Sequence, residues 1–196
     1  MKNWKPTHFF LISIVVILLD QLTKYLVHQN MAYQEEIHLF GFIKLNYQLN
    51  PGMAWGTSLE FLGDAKKMTL TVFRLIVSGF IPVYLINLYK KGAHSGLILC
   101  IAFILGGAVG NLIDGLFYGM LDPEYLLVYN KWDMEFLHGY VVDMIYFDLY
   151  HGSLPLVGHV DLWPVFNVAD SSIFCSVIAI MILNKKFFPE EEKEGN

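Results

Sequence analysis

The chain has 196 residues, 55% of them hydrophobic, with 18 Asp and Glu against 13 Lys and Arg, a formal net charge of −5 and a mean hydropathy of +0.47. That composition is too apolar for a soluble domain of this size and provides no basic face for nucleic acid, so a membrane protein is the class to test. The cysteines, Cys100 and Cys175, both lie in apolar runs, no Cys/His cluster points to a metal, and neither cysteine follows a Leu-Ala-Gly lipidation box.

A span needs about 20 mostly apolar residues to cross roughly 30 Å of hydrocarbon. Stretches at about 8–27, 69–89, 95–114 and 168–184 meet that need, which predicts a membrane α-helical fold with about four spans. The first follows Lys2 and Lys5 as a signal peptide would. It lacks a small-residue cleavage site, however, and continues in helical pattern into Asp20, Gln21, Thr23 and Lys24, so it reads as a retained span. Asp20 and Lys24 stand four apart on one face, either as a pair that offsets its own desolvation or as part of a site.

The outer segment that follows contains Ile43, Leu45, Tyr47 and Leu49 alternating with Lys44, Asn46, Gln48 and Asn50, the pattern of a half-buried strand. Arg74 falls in the outer turns of the second span, where reaching for head groups would explain it. In the third span, Gly106-Gly107-Ala108-Val109-Gly110 permits close helix approach. Asn111 and Asp114 follow on roughly one face, and an Asn at that depth needs a hydrogen-bonding partner.

The second outer segment runs from Gly115 to Asn167. Within it, Asp122 to His138 reads as an interfacial helix or an irregular lid. Val141, Asp143, Ile145 and Phe147 then share one side of a β-favouring stretch, which sets a carboxylate on an apolar face. The fourth span opens Phe166-Asn167-Val168-Ala169-Asp170-Ser171, so Asn167 suits an N-cap and Asp170 the N3 position of a capping box. With no repeat or linker, residues 1–196 read as a single membrane-embedded domain carrying a small extracytoplasmic β platform.

Basic residues set the expected orientation. Lys2, Lys5, Lys90, Lys91, Lys185, Lys186 and Lys193 fall on one side, and only Lys44, Lys66, Lys67 and Lys131 on the other, so both termini are expected in the cytoplasm. The acidic tail from Glu190 to Glu194 reads as a solvated end. Asp143 and Asp170 would both lie at the outer face, and two carboxyl groups sharing a proton are able to hydrolyse an amide without metal, serine or thiol.

The order of motifs resembles the bacterial lipoprotein signal peptidase, or signal peptidase II, family. The pieces are Asp20-Gln21-Leu22-Thr23-Lys24, Asn50-Pro51-Gly52-Met53-Ala54-Trp55, Gly106 to Asp114 as GGAVGNLID, Val141-Val142-Asp143-Met144-Ile145 and Phe166 to Ser171. The resemblance implies an intramembrane aspartic endopeptidase with Asp143 and Asp170 as catalytic residues. It also implies cleavage of diacylglyceryl prolipoproteins on the amino side of the lipidated cysteine, without cofactor or metal. Asp20, Lys24, Asn50, Gly52, Asn111, Asp114, Asn167 and Ala169 would line the site. Membrane lipid and globomycin-type inhibitors are the other implied partners, and the bacterial inner membrane the implied location.

Two departures stand out. Gly115 replaces the Arg that commonly follows the third-span Asp, with Arg74 as a candidate substitute, and Gly115 to Tyr140 is longer than the usual link. Gly-x-Gly-Asp, Gly-x-Ser-Gly and His-Glu-x-x-His motifs are absent, which excludes other intramembrane protease classes. A proton-coupled transporter using Asp20, Asp114 and Asp170 is the alternative of a different class, though no internal repeat supports it.

Overall fold

The computed structural model describes residues 4–51, 65–121, 136–149, 151–154, 158–161 and 164–189. Helix α1, Pro6–Asn30, begins with Pro at its first turn, and the His8 ring accepts the Lys5 backbone N–H at 3.0 Å. Its buried residues, Phe9, Ser13, Val16, Asp20, Lys24 and Val27, recur every three to four positions and form one stripe. Leu11, Ile14, Val15, Leu18, Leu19 and Leu22 are exposed around it. The polar groups are thus inside and the aliphatic ones outside, the arrangement that lipid demands.

Helix α2, Ala65–Lys90, and helix α3, Ser95–Ile113, follow, with the His94 side chain capping α3 by accepting from Gly96 N–H. α3 is the hub, since α1, α2 and the later helix α4, Val168–Ile182, all pack on it. Its glycines make this possible. A Cβ on Gly106 would lie 2.6 Å from Val16 Cβ of α1, one on Gly110 2.6 Å from Asp20 Oδ2, and one on Gly107 would collide with the Ala169 carbonyl of α4.

Helices α1, α2 and α3 are long and apolar enough to cross a membrane. The fourth expected span is shorter: α4 has 15 residues, about 22 Å of helix, and ends at Ile182 before a single turn, α5, Asn184–Phe187. The apolar run continues past Ile182, but Leu183 departs from helical geometry there.

The strands form a three-stranded antiparallel sheet, β1 (Glu36–Phe40), β2 (Ile43–Asn50) and β3 (Val141–Phe147), in the order β1-β2-β3. A separate hairpin pairs β4 (His151–Leu154) with β5 (Gly158–Asp161). The β platform expected outside the spans is present, and β2 has the bounds its alternation predicts.

Strict alternation would place Lys44, Asn46, Gln48 and Asn50 on one face. The structure breaks that pattern with a bulge. Leu45 pairs with Ile145, but Gln48 pairs with Asp143, so β2 carries one residue more than β3 between those pairs. Beyond the bulge, Gln48 and Asn50 therefore share the face of Asp143, while Lys44 stays on the other face opposite Tyr146. Leu49, Val142 and Met144 bury that other face against Val27 and Met31 at the end of α1.

Two backbone joints fix the sheet to the helices. After α3, the chain enters a π-helical turn at Asp114–Tyr118, and Gly139 N–H returns to the Gly115 carbonyl at 3.0 Å just before β3. A Cβ on Gly139 would collide with the Asp114 carbonyl, so this return requires glycine. At the other joint, Phe166 bridges to Ile145, donating to its carbonyl at 2.9 Å and accepting its N–H at 2.7 Å. α4 begins two residues later, beside Asp143.

Candidate active site

The site forms where three element ends meet: the head of α3, the middle of β3 and the first turn of α4. Asn167 caps α4 as expected, its Oδ1 accepting Asp170 N–H at 2.8 Å. The Asp170 carboxylate stays within reach of the Asn167 backbone N–H, as a capping box would place it. It also meets Asn111 of α3, whose Nδ2 donates to Asp170 Oδ1 at 2.8 Å.

Asp143 is held by two other amides. Asn50 Nδ2 donates to its Oδ2 at 2.8 Å across the bulged pair β2/β3, and Asn167 Nδ2 donates to its Oδ1 at 2.8 Å. Asn167 Nδ2 also reaches Asn111 Oδ1 at 3.0 Å. Asn111 and Asn167 therefore link the carboxyl groups of Asp143 and Asp170. Asp143 is almost fully buried, and burial, followed by the charge of Asp170, pushes its carboxyl up to about 8.

A second cluster lies directly below. Lys24 Nζ contacts Asp20 Oδ2 at 2.8 Å and Asp114 Oδ2 at 2.7 Å, and all three side chains are fully buried. The expected i,i+4 pair is thus a triad, completed by a carboxylate far away in sequence. The two carboxylates also reach the neighbouring elements. Asp20 accepts Ala169 N–H of α4 on its other oxygen, Oδ1, at 2.9 Å, and Asp114 Oδ2 accepts Val142 N–H of β3 at 3.1 Å besides its contact with Lys24. Lys24 Nζ also donates to Asn111 Oδ1 at 3.1 Å, which makes Asn111 the hinge between the two clusters.

Of the residues expected at the site, Asp20, Lys24, Asn50, Asn111, Asp114, Asp143, Asn167, Ala169 and Asp170 form one connected network. Gly52 lies outside the described residues, as do residues 122–135 of the segment expected to be a helix or lid. Gln21 was missed. Its Nε2 donates to Asp114 Oδ1 at 2.8 Å and to the Gly110 carbonyl at 3.2 Å. It stands one position off the Asp20 face, so helical spacing gave no reason to include it.

Arg74 of α2, expected to serve head groups, is half-buried and within electrostatic range of Asp170, Asp114 and Asp143. An apolar groove of about 470 Å³ flanks the sheet beside α4, lined by Leu26, Val27, Leu45, Ile145, Phe147 and Val168 among others. Among the described residues, no group of three or more His, Cys, Asp and Glu side chains converges to hold a metal ion.

Apolar helices with buried polar stripes, topped by a sheet that delivers carboxyl groups to their mouth, define a multi-pass membrane protein of enzyme type. Residues 12–185 match the family described as signal peptidase (SPase) II. A lipoprotein signal peptidase of Amoebophilus asiaticus is 38% identical over 195 residues, covering 94% of this chain and 79% of its own. Its counterpart from Pelodictyon phaeoclathratiforme is 34% identical, covering 95% of both. A solved structure described as a bacterial membrane enzyme superposes with a TM-score of 0.62 at 27% identity, over 97% of this chain and 95% of its own. The chain belongs to the signal peptidase II family and is a peptidase of the bacterial membrane.

Proposed function

We propose that this chain is an aspartic endopeptidase that removes the signal peptide from diacylglyceryl-modified prolipoproteins, with Asp143 and Asp170 as its catalytic pair. The observation that carries this reading is that, among the described residues, both carboxyl groups are held by amides alone, while the nearby lysine is occupied by Asp20 and Asp114. A pair left without a bonded cation keeps a shared proton, which the raised position of Asp143 supports.

Asp170 sits in the first turn of α4, where the helix dipole favours its anion, so it acts as the base. It takes a proton from water as the oxygen adds to the carbonyl carbon preceding the lipidated cysteine. Asp143 gives its proton to the carbonyl oxygen. When the tetrahedral intermediate collapses, the C–N bond breaks, Asp170 delivers its proton to the departing cysteine amine, and Asp143 recovers its own from the hydroxyl. The products are a signal peptide with a new carboxyl terminus and a lipoprotein with a free α-amine. The groove beside Val168 and Ile145 supports a substrate that carries acyl chains.

The charge distribution supports an inner-membrane protein with cytoplasmic termini and the site at the outer face. The test is a gel-shift cleavage assay on a diacylglyceryl prolipoprotein, with and without a globomycin-type inhibitor. Asp143→Asn and Asp170→Asn are each expected to lower turnover by about 10²- to 10⁴-fold while insertion is retained and neither variant unfolds at a lower temperature than wild type. Full activity in either variant refutes the pair.

A further inference from the structure

α2 packs on the π-helical turn that follows α3, at the residue directly after Asp114. A Cβ on Gly115 would lie 2.8 Å from Thr71 Oγ1, so glycine there admits the buried Thr71 side chain. Arg74 and Ser78 follow Thr71 at helical spacing, so the three form a polar stripe along one face of α2. Arg74 makes no hydrogen bond or ion pair with any described residue, although Asp170, Asp114 and Asp143 are within electrostatic range. Ser78 Oγ, one turn deeper, is buried with the residue only 6% exposed, and has no hydrogen-bonding partner among the described residues.

Two donors left unsatisfied at membrane depth are costly. A guanidinium only donates, so its ligand must be an acceptor. With one proton shared by Asp143 and Asp170, the carboxylates of the site already outnumber Lys24 and Arg74, which disfavours a further anion. A neutral acceptor remains. A peptide cleaved inside a membrane must be unwound at the scissile bond, and its freed backbone carbonyls then need donors from the protein.

We propose that Arg74 and Ser78 form a substrate track, binding backbone carbonyls of the unwound signal peptide as it lies across the carboxyl pair. This inference rests on the catalytic reading of Asp143 and Asp170. It is tested by measuring the affinity of a diacylglyceryl lipopeptide spanning the cleavage site for the Asp143→Asn protein, with and without second substitutions.

Arg74→Gln is expected to weaken binding by about 10- to 100-fold and Arg74→Lys by less, since the lysine keeps the charge but loses the fork. In otherwise wild-type enzyme, Arg74→Gln is expected to raise KM at every pH, over and above any displacement of the basic limb that follows from removing a charge near the pair. Ser78→Ala removes a buried, unpaired hydroxyl. It should therefore raise the unfolding temperature of the unliganded protein while weakening binding by about 3-fold.

Unchanged affinity in Arg74→Gln or in Ser78→Ala overturns the track. So does an Arg74 effect that appears only as a shifted pH limb, or only in vesicles of anionic lipid, which would assign the guanidinium to the carboxyl pair or to head groups. Cleavage by Asp143→Asn itself would reject the catalytic pair, an outcome distinct from any change in affinity.

Discussion

Two groups of carboxylates lie side by side at the head of α3, and they are treated in opposite ways. Asp20 and Asp114 surround Lys24, with every member fully buried. Among the described residues, Asp143 and Asp170 are given only amide donors. The first arrangement compensates charge and at the same time anchors α4 at Ala169 and β3 at Val142. The second bonds no cation among the described residues, and burial, followed by the charge of Asp170, raises Asp143 and keeps a proton available. A carboxylate in a membrane protein thus becomes scaffold or chemistry according to whether a cation is bonded to it.

The largest expected effect that would break this comparison is on the scaffold. Lys24→Met leaves two buried carboxylates facing each other, and should cost about 3–5 kcal/mol, read as a collapse of the unfolding temperature and of yield. Asp20→Asn leaves Lys24 with Asp114 and should be tolerated far better. If the two substitutions destabilise equally, the lysine is not what holds the cluster together.

Asn111 joins the two groups, and its loss should affect chemistry more than folding. Asn111→Leu removes the donor to Asp170 and the acceptor for Lys24 and Asn167, and should lower kcat by about 10- to 100-fold. A thermal shift as large as that of Lys24→Met would assign Asn111 to the scaffold instead.

The smallest effect concerns pH. Asp143 is raised above its unfolded value, so the folded protein holds a proton that the unfolded chain gives up from about pH 4 onwards. Stability therefore falls as pH rises from about 4 towards 8, and Asp143→Asn should remove that fall. Turnover needs the same proton, so the basic limb of the rate profile should reach half its plateau near pH 8. A profile flat through pH 9 would show that the proton is not required.

Much of this was legible before any coordinates, because the relevant signals are local. Apolar runs mark α1, α2 and α3; period-2 alternation marks β2; Asn167 marks the start of α4. Signals that depend on contacts distant in the chain were not legible. Asp20 and Lys24 read as a pair, since nothing local shows that Asp114 arrives between α1 and β3. Arg74 read either as a head-group ligand or as a substitute for the Arg that Gly115 replaces, since nothing in α2 shows which carboxylates it faces. The end of α4 was expected slightly late, because nothing in the sequence marks the break at Leu183 that separates α4 from the turn α5 at Asn184–Phe187.

The bulge in β2 bears on how this chain tolerates insertions and deletions. Length changes in surface loops usually cost little, and removing one residue from the Asn46-Tyr47 step would only restore regular alternation, leaving Gln48 opposite Asp143 and Asn50 on its face. A deletion between Gln48 and Asn50 would instead reverse parity and turn Asn50 away from Asp143, with every side chain of the site still encoded. Single-residue length variation should therefore be accepted in the β1–β2 turn at Gly41 and at the bulge, and rejected between Gln48 and Asn50.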